Sequence, residues 1–410
     1  MKLIVERTGR LAGSVTAPPS KSHTHRALMI ASLADGSSTI KNPLMSGDCI
    51  ATIEACRQIG AVIVEGEGLR VDGVGGRPRT PQKEIDVKSS GTTIRFMAAV
   101  AALCDGTTKL TGDASIRGRP FGPLLRAIAD LGAKRAESIP GNGCPPLAIT
   151  GKLKGGSTVI DGISSQFVSA LLVACPLVPK DSEITVQNLR SRPYVLMTLE
   201  HLERAGATVR REGLKRFFVG GGQRYRAGGY TVPGDHSSAA FLRAAACITD
   251  SEIEISGLDE NDSQGDRWMD GMMEVLASGD RREIDLRDTP DLLPVAAVLG
   301  CHAEGTTVLK NAPHARHKES DRISALCAEL KKMGAAIEER PDGLVVSSSA
   351  LKGAKLDGHG DHRIVMALAV AALEAEGRSV IDHADTLSKS YPRFVEDLVR
   401  LGANIRVVKE

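Results

Sequence analysis

Aromatic residues are scarce in this sequence, at 3% of 410 residues with a single tryptophan. A surface that binds nucleic acid by base stacking needs more aromatic rings than this. An excess of either charge is also lacking, because 52 lysines and arginines stand against 50 aspartates and glutamates, for a net charge of +2. A general polyanion binder is usually strongly basic. The composition therefore argues against a nucleic-acid partner.

Long apolar runs and paired cysteines are lacking too. No stretch reaches the roughly 18 apolar residues that suggest a membrane span, and residues 1–8 have no apolar core of signal-peptide length. The eight cysteines form no C-x-x-C pair and mostly lie in apolar stretches. This is typical of small buried side chains in a reducing compartment. We therefore expect a cytoplasmic chain of two or three domains, without membrane association.

A repeated pattern is present instead. A helical segment ends in a glycine and runs into a short β-type segment, and this happens six times at an average of about 68 residues. The position after a helix end often requires a positive φ, which suits glycine. The fourth copy is degenerate. The six glycines are Gly60, Gly132, Gly206, Gly279, Gly334 and Gly402.

Each repeat also contains a second helix that is apolar nearly all round, which indicates an interior position. Strand-like runs rich in threonine, valine and isoleucine follow several of these helices. Each repeat therefore reads β-α-β-α-β-β, and the fold class is α/β. The apolar helices are predicted at residues 26–34, 93–104, 166–176, 239–249, 292–299 and 364–375.

The starts of the apolar helices combine capping residues with cations. Serine, threonine and aspartate are good N-caps, so capping alone remains an alternative at any single start. However, a cation near the positive end of a helix dipole costs stability, and a bound anion would offset that cost. Free N–H groups together with a lysine or arginine favour a phosphate or carboxylate site. The cations in question are Lys21, Arg26, Arg95 and Arg363.

Nine motifs in order resemble the EPSP synthase family, the 3-phosphoshikimate 1-carboxyvinyltransferases, over essentially the full length. Their order and spacing carry the resemblance, since any single short motif is weak. They are Pro19-Ser20-Lys21-Ser22 with Arg26, Gly91-Thr92 with Arg95, Arg119-Pro120, Ser164-Ser165-Gln166, Ser191-Arg192-Pro193-Tyr194, Pro290-Asp291, Lys318-Glu319-Ser320-Asp321-Arg322, Asp361-His362-Arg363 and Lys389.

The resemblance implies a two-domain inside-out α/β barrel of six βαβαββ repeats, with three repeats per domain and the active site in the interdomain cleft. One domain is discontinuous, comprising residues 1–14 and 230–410. The other, residues 15–229, is inserted into it. The sixfold pattern agrees with this expectation independently.

The resemblance also implies a reaction. The enolpyruvyl group of phosphoenolpyruvate moves to the 5-hydroxyl of shikimate 3-phosphate by addition–elimination, a step of the shikimate pathway toward chorismate and the aromatic amino acids. The partners are then two small anionic substrates, with no nucleic acid and no membrane, and we expect a monomer. No metal and no organic cofactor is needed for this chemistry.

The family's binding residues carry over by motif. For shikimate 3-phosphate the resemblance assigns Lys21, Ser22, Arg26, Ser164, Ser165, Gln166, Ser191, Asp291, His314 and Lys318. For phosphoenolpyruvate it assigns Lys21, Gly91, Arg119, Gln166, Arg322, Arg363 and Lys389. His314 stands where many members have asparagine, although histidine also donates hydrogen bonds.

Two acid/base groups are needed, one near the attacking hydroxyl and one near the methylene carbon. On the resemblance Asp291 is the base for the hydroxyl, Glu319 exchanges the proton at C3, and Lys21 is a third candidate. Alternatives stay open for each. Asp291 could be an N-cap with Asp288 as its competitor, and residues 318–322 could form a surface ion-pair ladder.

Two other functions are alternatives to this reaction. A UDP-N-acetylglucosamine enolpyruvyl transferase generally has Lys-Asn where this chain has Lys21-Ser22, and often a loop cysteine that residues 111–119 lack. A non-catalytic repeat protein related to the RNA-phosphate cyclase architecture is the more remote alternative. Balanced charge and few aromatic residues argue against it.

Overall fold

The computed structural model describes residues 1–409. Its α-helices are α1 (Lys21–Leu33), α2 (Gly47–Gln58), α3 (Gly91–Ala101), α4 (Ala114–Arg117), α5 (Gly122–Asp130), α6 (Ser165–Ala174), α7 (Arg192–Arg204), α8 (His236–Ile248), α9 (Met269–Leu276), α10 (Leu293–His302), α11 (Arg322–Lys332), α12 (His362–Glu374) and α13 (Phe394–Arg400).

The strands are short, and they are β1 (Lys2–Glu6), β2 (Ala12–Thr16), β3 (Ser37–Lys41), β4 (Val62–Glu65), β5 (Gly68–Asp72), β6 (Ile85–Asp86), β7 (Thr107–Thr111), β8 (Arg135–Ser138), β9 (Leu147–Thr150), β10 (Gly156–Asp161), β11 (Ser182–Gln187), β12 (Val209–Glu212), β13 (Arg216–Val219), β14 (Gly229–Thr231), β15 (Glu252–Ser256), β16 (Arg281–Asp285), β17 (Thr306–Lys310), β18 (Ala336–Arg340), β19 (Gly343–Ser347), β20 (Lys355–Leu356), β21 (Arg378–Ile381) and β22 (Ile405–Val408).

The chain divides into two compact units. We call Pro19–Pro233 the inserted unit, and Met1–Pro18 with the chain from Gly234 onward the discontinuous unit. The expected boundaries lie four residues earlier at both crossings. Strand pairing explains the difference, because β14 pairs with β3 inside the inserted unit and β2 pairs with β15 inside the discontinuous unit.

The inserted unit contains three four-stranded sheets with one shared connection order. They are β14-β3-β5-β4, β6-β7-β9-β8 and β10-β11-β13-β12. In each sheet the first two strands are parallel and the rest antiparallel. A parallel pair needs a crossover, which α3 and α6 supply in the second and third of these sheets. In the first sheet β3 follows α1 but pairs with β14, a strand from the end of the unit.

The discontinuous unit repeats this order in β16-β17-β19-β18 and in β20-β21-β1-β22. The second of these sheets takes its inner strand β1 from the N-terminus of the chain. The third repeat is shortened to the parallel pair β2 and β15. Its reduction has a physical reason, since only Ala277–Asp280 separate α9 from β16 and no hairpin fits in four residues. The architecture is mixed α/β with six repeated β-α units.

The six punctuating glycines occupy the predicted position after a helix. All six have positive φ, with values of 114° at Gly60, 98° at Gly132, 81° at Gly206, 64° at Gly279, 90° at Gly334 and 102° at Gly402. The apolar helices form the interior, and α12 is buried along nearly its whole length. Two hydrophobic cores result, one for each unit.

Six of the eight cysteines are buried, as the apolar stretches around them predict, and all are free thiols. Cys144 is half-buried and Cys247 is exposed, so the prediction of burial does not extend to these two. Within residues 1–409 no helix has the length and apolar character required to cross a membrane.

Candidate active site

The N-terminus of α1 holds the first candidate, Lys21. Its Nζ lies 3.1 Å from Oδ2 of Asp48, a buried residue in the first turn of α2. The hydroxyl of Ser89 donates to the other oxygen of Asp48 at 3.1 Å. Asp48 suits the positive end of α2 and fixes the ammonium of Lys21. Sequence reasoning missed Asp48 because nothing local links residues 27 positions apart.

Gly91 begins α3 between two guanidinium groups. A Cβ built on it would lie 2.5 Å from Nη1 of Arg119 and 2.8 Å from Nη1 of Arg95, so a side chain would displace them. Arg95 Nη1 also donates to Oε1 of Gln166 at 2.8 Å, and Gln166 Nε2 donates to the hydroxyl of Thr92 at 2.9 Å. The starts of α3 and α6 therefore meet around Gly91.

Arg119 is a buried cation held by a neutral group. It is 6% exposed, and its Nη2 donates to the hydroxyl of Ser115 at 3.1 Å. Its Nε has no hydrogen-bond partner within residues 1–409, and none of its nitrogens pairs with a carboxylate there. A buried cation without a carboxylate favours an anionic ligand nearby.

Ser164 and Ser191, at the starts of α6 and α7, do not cap these helices with their side chains. Ser164 occupies the N-cap position of α6, yet its side chain makes no capping hydrogen bond. Ser165 follows as the first, buried residue of α6. Ser191 precedes α7 with φ 51°, a left-handed conformation that costs energy in a residue other than glycine. Capping alone therefore fails to account for Ser164 and Ser191.

Arg26 is 2% exposed and joins α1 to α7. Its Nε donates to Thr198, its Nη1 to the carbonyl of Ser22 and its Nη2 to the carbonyl of Tyr194, at 2.8, 3.0 and 2.8 Å. Burial lowers the pKa of Arg26 to about 10, which still leaves it charged at neutral pH. Each guanidinium nitrogen already donates one hydrogen bond within the protein, so only the second N–H of each Nη group is available for a carboxylate.

In the discontinuous unit the central residue is Arg322, the first residue of α11 and 1% exposed. Its Nε donates to Asp361 at 2.8 Å, its Nη1 to Asp291 at 2.6 Å and its Nη2 to Glu319 at 2.7 Å. Arg322 thus joins three carboxylates, which lie just before α10, α11 and α12. We call Asp291, Glu319, Arg322 and Asp361 the arginine hub.

Asp291 lies in a 3-10 turn, Pro290–Leu292, directly before α10. Besides Arg322 it faces Lys318 and Arg363, each at 3.5 Å. Burial alone would raise the pKa of Asp291, but Arg363, Lys318 and Arg322 together hold that pKa well below 3.8. Burial lowers the pKa of Lys318, against the opposing effect of Asp291. Asp291 is therefore a charged carboxylate inside a group of cations.

Asp266 is a second buried carboxyl beside this group. It accepts a hydrogen bond from the hydroxyl of Ser237, in the first turn of α8. Burial first, and then the charge of Asp291, raises the pKa of Asp266 to about 7, although Arg363 opposes the rise. Sequence reasoning missed Asp266, since a lone aspartate before α9 gives no local signal.

Arg363 and Lys389 complete the cations of the discontinuous unit. Arg363 is buried near the start of α12, and its Nη1 has no hydrogen-bond partner in the described chain. Lys389 ends the 3-10 turn Ala384–Lys389, and its Nζ donates to the carbonyl of Gly360 at 3.1 Å. His314 is buried in the 3-10 turn Pro313–His317.

The predicted residues therefore form two sets. The inserted unit brings together the starts of α1, α3 and α6, with Lys21, Gly91, Arg119 and Gln166 among them. The discontinuous unit brings together Asp291, Lys318, Glu319, Arg322 and Arg363. Asp361 was recognised as a helix start, but its role as a partner of Arg322 emerges only from the structure.

Repeated α/β units with buried cations at helix starts are typical of a protein that binds small, multiply charged acids. Comparison with known proteins identifies the family. The sequence model of EPSP synthase (3-phosphoshikimate 1-carboxyvinyltransferase) matches residues 5–398. The chain belongs to the EPSP synthase family.

Curated relatives agree with this family. The chain is 52% identical to a 3-phosphoshikimate 1-carboxyvinyltransferase of Methanothrix thermoacetophila, over 97% of each chain. It is 46% identical to one of Acetivibrio thermocellus, over 98% of this chain and 99% of the relative. A solved EPSP synthase from Acinetobacter baumannii has a TM-score of 0.82 at 26% identity, with full coverage of both chains.

Proposed function

We propose that this chain transfers the enolpyruvyl group of phosphoenolpyruvate to the 5-hydroxyl of shikimate 3-phosphate and releases phosphate. Family membership supports the reaction. The observation that carries the site is the arginine hub, because it joins both proposed proton carriers, Asp291 and Glu319, to one buried cation. The family also favours this reaction over the alternative with a UDP-sugar acceptor.

Phosphoenolpyruvate carries a phosphate and a carboxylate, and the proposed ligands are Lys21, Gly91, Arg119, Gln166, Arg322, Arg363 and Lys389. Arg119 and Arg363 are the strongest of these on physical grounds. Both are buried, and each has a guanidinium nitrogen without a partner in residues 1–409. Arginine pairs with phosphate and carboxylate in a bidentate manner, which suits this substrate.

For shikimate 3-phosphate we propose Lys21, Ser22, Arg26, Ser164, Ser165, Gln166, Ser191, Asp291, His314 and Lys318. The hydroxyl of Ser164 makes no capping hydrogen bond, and backbone N–H groups at the start of a helix attract anions. Both observations support a phosphate position at the start of α6. Arg26 keeps its proposed role toward the sugar-acid carboxylate, through N–H groups that the protein does not use.

Asp291 is the proposed base for the 5-hydroxyl, and its low pKa has a consequence. Three neighbouring cations stabilise the carboxylate so strongly that it is a weak proton acceptor in the free protein. When the charge of phosphoenolpyruvate engages Arg322 and Arg363, their field at Asp291 falls. The pKa of Asp291 then rises toward the range in which a general base is effective.

Glu319 is the proposed proton carrier at C3 of phosphoenolpyruvate. Its carboxylate already accepts from Arg322 at 2.7 Å, so a substrate that competes for Arg322 would also change the hydrogen bonding of Glu319. Lys21 is the third candidate, and Asp48 holds its ammonium group at 3.1 Å. The buried cations stabilise the charge that develops during addition and elimination.

Phosphate release from phosphoenolpyruvate, measured with and without shikimate 3-phosphate, tests the function. We expect release that depends on the shikimate substrate and no release with UDP-N-acetylglucosamine. Release with the UDP-sugar instead would favour the alternative transferase. Release without any acceptor would contradict transfer.

We also propose that the chain acts as a monomer and binds no nucleic acid, which its near-neutral net charge supports. Light scattering during size-exclusion chromatography measures the mass in solution. An RNA-binding assay with a salt titration checks the second point, since a steep loss of affinity with salt would reveal phosphate contacts and contradict it.

A further inference from the structure

Glu329 is a buried carboxylate that the proposed reaction does not use. It lies on α11 and is 2% exposed. Its Oε2 accepts from the backbone N–H of Asp357 at 2.9 Å, and its Oε1 lies 3.0 Å from Nε2 of His359. Lys332 contacts both oxygens at 2.8 Å from the solvent side. Two of its three partners therefore belong to one loop, Asp357–Gly360.

This loop leads into the proposed site, because Asp361 and Arg363 follow it at the start of α12. Arg322 and Glu329 are seven residues apart on α11, which is about two turns, so they share one face of the helix. Arg322 holds Asp361 and Glu329 holds the residues just before it. The loop is thus fixed to α11 at two points.

The loop backbone needs such support. His359 and Gly360 adopt left-handed φ values of 50° and 63°. A left-handed histidine persists only where its surroundings impose the conformation. Gly358 is also confined, since a Cβ there would lie 2.4 Å from Val365 and 2.5 Å from the carbonyl of Asp382. The conformation of the loop is therefore imposed by its surroundings, and Glu329 is part of them.

Two proposed phosphoenolpyruvate ligands depend on this loop. Arg363 is three residues beyond Gly360, and Lys389 donates its Nζ to the carbonyl of Gly360 at 3.1 Å. We propose that Glu329 is a positioning residue for phosphoenolpyruvate: by clamping Asp357 and His359 it sets the positions of Arg363 and Lys389. This inference rests on the proposed function.

Glu329→Gln is the first test. The amide keeps the size of the side chain, and its oxygen still accepts from the backbone N–H of Asp357, but it lacks the negative charge and turns an NH₂ group toward His359, which weakens that anchor. We expect the KM for phosphoenolpyruvate to rise about 10-fold with kcat within about twofold, since misplaced ligands weaken binding more than the chemical step. The KM for shikimate 3-phosphate should stay near the wild-type value.

His359→Ala removes the same contact from the side of the loop and provides a double-mutant cycle. Because both changes release the same loop, we expect the double variant to be no worse than Glu329→Gln alone. His359→Gln retains a side-chain N–H donor and should recover most of the loss. Glu338→Gln, an exposed residue on neighbouring β18, is the matched control and should behave as the wild type.

The outcomes separate this inference from the proposed function. A wild-type chain that releases no phosphate in the presence of both substrates would refute the function. An active wild type with an unchanged KM in Glu329→Gln would overturn the inference, as would a double variant whose effects simply add. Melting temperatures identify a variant that fails to fold, in which case the His359 pair decides.

Discussion

The two units hold their buried cations in different ways. In the inserted unit, Arg26 and Arg119 donate to hydroxyl and carbonyl groups, which leaves their positive charge uncompensated. In the discontinuous unit, Arg322 and Arg363 face carboxylates, and the acids beside them have strongly shifted pKa values. Neutral partners preserve charge for an anionic ligand, whereas paired carboxylates supply groups that exchange protons. We therefore propose that the inserted unit mainly binds the substrates and that the discontinuous unit mainly transfers protons.

Arg322→Met would break the comparison most severely. It leaves three carboxylates close together without their shared cation, and removing one partner of a buried ion pair costs about 3–5 kcal/mol. We expect that loss in urea denaturation, together with loss of phosphate release. Arg340→Met removes an exposed pair with Glu338 and serves as control. Equal effects of the two changes would argue against the hub.

Asp291→Asn and Glu319→Gln test whether the discontinuous unit carries proton transfer. We expect kcat to fall about 10²–10⁴-fold, which is the usual contribution of a general acid or base, with a smaller change in KM. Steady-state kinetics for both substrates give the values. Asp288→Asn is the control, since Asp288, three residues earlier, is the competing candidate for the base. Weakened binding with normal turnover at saturation would reverse the assigned roles.

Arg119→Gln tests the uncompensated cation of the inserted unit. The change removes a charge-assisted contact worth about 1.5–3 kcal/mol, so the KM for phosphoenolpyruvate should rise about 10–100-fold while kcat changes less. Arg117→Gln changes an exposed cation at the end of α4, two residues before Arg119, and should have little effect. A fall in kcat without a change in KM would show that Arg119 serves chemistry rather than binding.

Asp266→Asn sharpens the comparison through pH. The folded chain raises the pKa of this carboxyl from 3.8 to about 7, so protonation of Asp266 stabilises the folded state. This contribution to the free energy of unfolding is fully present below pH 3.8 and is lost as pH rises through about 7. Between about pH 5 and about pH 8 the urea midpoint of the wild type should fall more than that of the variant. Asp270→Asn, an exposed control, should follow the wild type. A steeper fall in Asp266→Asn would contradict the pKa shift.

Local features of the fold were predictable from sequence, and long-range ones were not. The six glycines and the apolar helices follow from patterns within about ten residues, and the structure has them where they were expected. The exchange of β1 into the sheet of β21 and β22 could not be derived from residues, because pairing across 370 or more positions leaves no local pattern.

The residues of the candidate site also divide into those that the sequence predicts and those that only the folded structure reveals. Lys21 and Arg363 stand at predicted starts of apolar helices, and a family motif identified Arg322 together with Asp291 and Glu319. Two other carboxylates, Asp48 and Asp266, were missed, because they become informative only when folding places them beside a cation or another acid. The pKa shifts of Asp291 and Asp266 depend on that packing and have no counterpart in the linear sequence.

The position of β1 affects the order in which the chain can fold during synthesis. The inserted unit is complete once Pro233 has left the ribosome, so it can fold while translation continues. β1 leaves the ribosome before the inserted unit, yet its sheet partners β21 and β22 follow it by more than 370 residues. β1 therefore waits with its edges unpaired while the whole inserted unit is made, which exposes it to chaperones or to aggregation in the nascent chain.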